Sequence, residues 1–241
     1  QAIKVLRSGG LDTALAALGQ FPDDQECATL GLTALRELAI DHAHLMRTPA
    51  VIAAAKRSLE RFPDVEDIAC RALGLLTNLA NDPEPMLAQP RLQLCAAGVL
   101  PLVVGALRRF EHDSAATCPA LMVLTHLSNS LSGTLSDHVL RAGALDAVLE
   151  KIDDLCAHST DRRNEPDDRS DEPTFYALGT VVGLSEGARA ADCWRAGAHL
   201  AALRVLDAFA IDSDSCGAAL RALVSMVRAC EEGEGGSGGD G

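Results

Sequence analysis

"FPDDQECATLGLTALRELAI" runs from Phe21 to Ile40, and "FPDVEDIACRALGLLTNLAN" runs from Phe62 to Asn81, 41 residues later. The Phe-Pro-Asp opening, the small residues and the leucines coincide. The phrase recurs as "CPALMVLTHLSN" (Cys118 to Asn129), as "FYALGTVVGLSE" (Phe175 to Glu186) and more loosely as "GAALRALVSMVR" (Gly217 to Arg228). Each copy carries a small residue followed by an apolar one: Gly31-Leu32, Ala72-Leu73, Ala120-Leu121, Ala177-Leu178 and Ala219-Leu220. Further apolar residues follow three and six positions after each of those apolar residues, which is one stripe of a helix. The small residue lets a neighbouring helix come close.

A second phrase stands upstream of every copy: "VLRSGGL" (Val5 to Leu11), "MRTPAVI" (Met46 to Ile52), "LCAAGVL" (Leu94 to Leu100), "VLRAGAL" (Val139 to Leu145) and "CWRAGAH" (Cys193 to His199). These read as a short helix, a sharp turn and the start of another helix. Gly9, Gly98, Gly143 and Gly197 stand where the turn needs a positive φ. A large apolar residue follows about ten positions on, at Phe21, Phe62, Phe110, Leu155 and Phe209. Each unit therefore reads as a short helix, a turn, a medium helix, a loop, and a long helix capped by Asp or Ser.

Composition agrees with an all-α chain. Of 241 residues 48% are hydrophobic but only 3% aromatic, so Ala, Leu and Val must build the core, and these suit close-packed helices better than sheets. The net charge of −13 is concentrated: Asp161 to Glu172 carries −3 and the tail from Glu231 carries −4, so −6 remains for everything else. That balance argues against nucleic acid and against an anionic membrane as partner. No apolar run reaches a membrane-spanning length of roughly 18 residues, so a soluble chain is expected. The eight cysteines form no CxxC pair and read as small core hydrophobes in a reducing compartment. The cytoplasm, or else the nucleus or a cilium, is the expected setting. A start at Gln1 inside a repeat and a Gly-rich acidic end suggest an excerpt of a longer protein.

A short first helix, a Gly turn and two antiparallel helices, the last ending in a motif such as Leu76-Thr77-Asn78-Leu79-Ala80, resemble the armadillo repeat. Gly98 to Val103 followed by Ala120 to Asn129 matches closely. HEAT repeats share the period, but the Gly turn after a short first helix argues against them. The resemblance implies a right-handed superhelical solenoid of about five repeats, near 1–40, 41–84, 90–130, 136–186 and 190–229, within a single unit spanning 1–230. The third helices would line its concave side, and the apolar ends would be covered by adjoining sequence.

The resemblance also locates a candidate contact surface. Peptide-binding members of the family place an Asn just before the last leucine of the third helix, and the matching residues here are Glu37, Asn78, His126, Gly183 and Ser225. One turn earlier, where nuclear-import receptors carry tryptophans, stand Thr33, Gly74, Met122, Gly179 and Arg221. No aromatic is among them, so recognition of a classical nuclear-localisation signal is not implied. Gly179 and Gly183 would leave the fourth repeat's helix bare, open to a partner's backbone.

Nothing in the chain reads as an active site. It contains no GxSxG, HExxH, Walker or Rossmann pattern, and "GLSEG" at Gly183 to Gly187 falls at a helix end. His42 and His44 are expected to be solvated residues of a connecting loop rather than metal ligands. No cofactor and no metal is expected. The stretch 157–174 lengthens the interval from Gly143 to Gly197 to 54 residues; it is polar and holds Pro166 and Pro173, so a disordered loop is expected. Ser159, Thr160 and Ser170 are candidate phosphorylation sites there, with Arg162 or Arg163 as phosphate partners. Residues 231–241 are expected to be a disordered tail.

Three functions follow as expectations. The first is a non-enzymatic scaffold that binds a partner protein or extended peptide on its concave face, with a slight preference for basic ligands. The second is an assembly subunit of a cytoskeletal or ciliary complex. The third is a metabolite-sensing regulatory domain of a larger enzyme.

Overall fold

Each repetition of the two phrases folds as a set of helices. The computed structural model describes residues 2–81, 88–111, 114–129, 133–162, 172–186, 189–209 and 212–235, and these hold 14 helices and no strand. Repeat 1 comprises α1 (Ala2–Arg7), α2 (Gly10–Gln20) and most of α3 (Gln25–Met46). Repeat 2 takes the end of α3, then α4 (Pro49–Arg61) and α5 (Glu66–Ala80). Repeat 3 is α6 (Ala88–Ala96), α7 (Leu100–Arg109) and α8 (Thr117–Ser128). Repeat 4 is α9 (Gly133–Arg141), α10 (Ala144–Arg162) and α11 (Glu172–Leu184), and repeat 5 is α12 (Ala190–Arg195), α13 (Ala198–Ala208) and α14 (Ser213–Gly235).

The four turn glycines have φ of 85°, 72°, 73° and 87° at Gly9, Gly98, Gly143 and Gly197, the only positive φ angles among the described residues. Repeat 2 turns differently. Thr48 is extended, its hydroxyl accepts from the Val51 amide at 3.3 Å, and Pro49 opens the helix. Four second helices, α2, α4, α7 and α13, stop at the expected aromatic, where the amides of Phe21, Phe62, Phe110 and Phe209 donate back to the helix. Asp24 and Asp212 cap α3 and α14 by accepting from the Cys27 and Ser215 amides. The entry to α8 is held from the previous repeat instead: Glu66 accepts from the Ala115 amide at 2.7 Å and from Ser114 at 2.9 Å.

Three expectations are corrected. Asp41 to His44 is helix rather than loop, because α3 continues through a single non-helical residue, His42 (φ −131°, ψ 33°), into the short helix of repeat 2. The expected disordered stretch 157–174 is helical at both ends, in α10 to Arg162 and in α11 from Glu172. Leu155 is buried at the expected stop, and Ser159, one turn on, is buried with its hydroxyl donating to the Cys156 carbonyl at 2.8 Å, so α10 still faces the core there, which composition alone did not reveal. Ser170, Arg163 and the rest of 163–171 lie outside the described residues. The expected tail is helical through Gly235, since Glu231, Glu232 and Glu234 are good helix formers, and 236–241 lie outside the described residues.

The core is one continuous cluster from Leu18 to Met226. Leu32, Leu73, Leu121 and Leu178 are wholly buried, each worth roughly 2–3 kcal/mol relative to exposure. Close helix approach is visible at Gly31, where a Cβ would lie 2.7 Å from the Leu18 side chain. Third helices pack in order, α3 on α5, α5 on α8, α8 on α11 and α11 on α14. No single helix among the described residues is long and apolar enough to cross a membrane.

Candidate functional site

Hydrogen bonds between third helices set the height of each against the next. The Thr77 hydroxyl stands 2.9 Å from the Leu73 carbonyl and 3.2 Å from the Pro119 carbonyl, one repeat on, and its single proton serves the two in a shared bond. Thr125 repeats this with Leu121 at 2.8 Å and Tyr176 at 2.7 Å, and lies 3.0 Å from the Thr180 hydroxyl. Their identical register one residue before the Asn position was a signal available in the sequence.

Arginines of the short helices hold the other end of the row. Arg47 donates to the Leu79 and Asn81 carbonyls at 3.0 and 2.9 Å. Arg91, only 6% exposed, donates to Ala80 at 3.1 Å and to Asn129 at 3.0 Å, so one buried cation closes the C-terminal ends of both α5 and α8. Sequence reading missed this role. Its signal would have been a cation one short helix after each long one.

The candidate contact residues on the third helices differ in exposure. Glu37 is exposed on α3, and Arg221 is exposed on α14 with Ser225 half-buried beside it. Asn78 is half-buried and its amide donates to the Arg36 carbonyl at 3.3 Å, leaving its second N–H and its oxygen for other partners. His126 is half-buried on α8, where burial first and the Arg91 charge second push its pKa down. Thr33 donates to the Thr29 carbonyl at 2.7 Å, and Met122 is half-buried. At Gly74 a Cβ would stand 3.1 Å from the Arg36 guanidinium, so Arg36 already lies over that helix.

The two glycines of repeat 4 are not bare. A Cβ on Gly183 would lie 2.5 Å from the Asn129 side chain and 2.7 Å from the Ser128 backbone, and one on Gly179 would lie 3.0 Å from the Thr125 methyl. Gly183 is buried. The backbone that approaches it belongs to α8 of the same chain, because the stack brings α11 and α8 into contact there. A separate cleft of about 340 Å³ opens between α2 and α4, lined among others by Leu18, Phe21, Ala54 and Arg57. The His42 and His44 rings lie edge to face with centres 6.4 Å apart, and no third potential ligand joins them among the described residues.

No protein-family model matches the sequence, and no curated protein does. Among solved structures the chain is similar to the designed armadillo repeat protein YIII(Dq)4CqI, with a TM-score of 0.74 at 17% identity over 94% of this chain and 86% of that one. The chain has an armadillo-like repeat fold. Designed armadillo repeat protein YIII(Dq.V1)4CPAF, in complex with peptide (KR)4, gives a TM-score of 0.72 at 16% identity over 94% of this chain and 85% of that one. An engineered protein solved by a structural-genomics consortium gives 0.72 at 16% identity, over 95% and 83%. The armadillo-like chain is thus an all-α right-handed solenoid of five repeats, and its third helices form the row on which the candidate residues stand.

Proposed function

We propose that this chain is a non-enzymatic scaffold that holds an extended peptide or a peptide-like segment of a partner protein along its third-helix row. The supporting observation is that Glu37, Asn78, Met122, His126, Arg221 and Ser225 are exposed or half-buried at matching positions of successive third helices, and that Asn78 keeps one N–H and its oxygen unspent. A neighbour of the same fold is recorded in complex with peptide (KR)4. Exposed Glu37 and the acidic balance favour a basic ligand here too. The seven described cysteines are free thiols, which fits a reducing compartment such as the cytoplasm or nucleus.

Binding of labelled (KR)4 and of an acidic peptide of equal length, followed by anisotropy, tests the ligand class. Tighter binding of (KR)4 is expected, weakened at least about tenfold by Asn78→Ala with His126→Ala at unchanged helicity. Preference for the acidic peptide removes the basic-ligand reading. Capture from a lysate tests the groove itself: a partner held equally by the unaltered chain and by the doubly altered one moves the contacts elsewhere.

A second reading, an assembly subunit, is favoured by the exposed apolar residues at both ends of the stack, such as Leu30 and Leu220.

A further inference from the structure

The cleft of about 340 Å³ between α2 and α4 is walled by two successive repeats and lies within the stack rather than at an end of it. Aligning the second helices on Phe21, Phe62, Phe110, Leu155 and Phe209 shows why it opens here. The register of Ala54 is held later by Leu102, Ala147 and Ala201, and that of Ser58 by Ala106, Lys151 and Val205. Every later interface thus has a large side chain at one of the two places. Leu102 packs on the core, Val205 is wholly buried, and the Lys151 ammonium reaches back to the Phe110 carbonyl at 2.8 Å. Ala54 and Ser58 are both small, and the space stays open.

The charges at its mouth obey the same register. Arg108 pairs with Glu150 at 3.1 Å and Asp153 with Arg204 at 2.6 Å, so the register of Glu60 in one repeat meets that of Arg57 in the next. For Arg57 the residue in that place is Gly19. Arg57 is exposed and has no ion pair or hydrogen bond among the described residues. The other charges lining the cleft are matched, Arg61 by Asp23 and Glu60 by Lys56 at 3.7 Å. One positive charge is left over. Ser58 is only 7% exposed, and its hydroxyl makes no hydrogen bond among the described residues, leaving a buried polar group without the partner such groups require. Leu18 and the 51%-exposed ring of Phe21 supply an apolar wall.

We propose that this cleft binds a small aromatic carboxylate of one or two rings, with the ring against Phe21 and Leu18, the carboxylate on the Arg57 guanidinium, and the Ser58 hydroxyl as a second hydrogen-bonding group. The planar guanidinium matches a carboxylate, and one surplus charge matches one anionic group. The volume stands near the lower end of the roughly 300–1,000 Å³ of ligand pockets, which suits such an acid better than a nucleotide. No residue of the cleft belongs to the third-helix row, so the site stands apart from the peptide reading.

Isothermal titration calorimetry with 2-naphthylacetate and its neutral counterpart 2-naphthylacetamide tests it. The unaltered chain is expected to bind the acid at least about tenfold more tightly than the amide, and Arg57→Gln to abolish that preference. Gly19→Asp gives Arg57 the partner that Asp153 gives Arg204; it is expected to weaken the acid at least about tenfold and to leave the amide unchanged. Residues 19 and 57 are both exposed, and a Cβ on Gly19 meets nothing within 4 Å, so the ligand-free melting temperatures of these variants should match that of the unaltered chain. Ala54→Leu, which copies Leu102, is expected to weaken acid and amide alike. No binding of the acid at millimolar concentration, equal affinity for acid and amide, a preference that survives Arg57→Gln, or full binding by Ala54→Leu would each overturn the proposal.

Discussion

Asp64 and Arg109 belong to successive repeats and meet with Arg109 Nε 3.1 Å from Asp64 Oδ1, and Asp23 and Arg61 make the same pair one repeat earlier. The repeated Phe-Pro-Asp is thus explained in two parts. Phe closes the second helix, and Asp reaches the arginine at the end of the next repeat's second helix. Both partners of the Asp64–Arg109 pair are well exposed, so the pair aligns more than it stabilises. Asp64→Asn is expected to cost no more than about 0.5 kcal/mol in urea unfolding, and less still in high salt.

Arg91 should behave in the opposite way. Arg91→Met leaves the carbonyl ends of α5 and α8 without their buried cation, and a loss of about 2–4 kcal/mol is expected. Circular dichroism follows all repeats, while Trp194, the sole tryptophan, reports on repeat 5. If the two probes separate in the variant but coincide in the unaltered chain, repeats 2 and 3 have uncoupled from the rest. Unchanged midpoints by both probes would refute the bridging role.

Two glycine substitutions should differ in sign. Gly183→Ala drives a methyl into Ser128 and Asn129 and is expected to destabilise by about 1–3 kcal/mol. Gly105→Ala, on an exposed position of α7 with nothing within 4 Å, is expected to stabilise by about 0.5–1 kcal/mol. Thermal unfolding of the pair decides it.

His126 links stability to pH. Its folded pKa is lowered, so between the folded and unfolded values the unfolded chain binds more protons. The His126 contribution is complete above the unfolded value near 6.5 and is lost as pH falls through the folded value. The urea midpoint should therefore fall on acidification below about pH 6.5, and His126→Gln should flatten part of that slope. Identical slopes would show that another group carries the effect.

Burial pushes the thiols of Cys95 and Cys156 up to about 11 and that of Cys118 up to about 12, from 9.0. Little thiolate then exists at pH 8, and alkylation of these three is expected to be slow until the chain unfolds. Peptide mapping after brief treatment with iodoacetamide checks this. Early labelling of Cys118 would place it in a different environment.

Much of the fold was legible because it is written locally and repeated. A leucine stripe at helical spacing, a glycine where φ must be positive and an aromatic where the second helix stops are properties of neighbouring residues, and five copies reinforced one another. The candidate row was legible only in outline. Register placed Glu37, Asn78 and His126 on one helix face, but it could not show that Asn78 already donates to Arg36 or that Gly183 is covered by Asn129.

The sequence by itself determined the helical class and the register of the third helices, since these follow from periodicity and turn chemistry within a few residues. Only the tertiary structure decided where α3 kinks, how far α10 extends, which carbonyls Arg91 closes and which residues stay uncovered at the ends. Those outcomes arise from contacts between residues a whole repeat apart. Whether Leu178 is buried and its counterpart Leu220 is half exposed depends on what stacks upon each, and not on the helix that carries it.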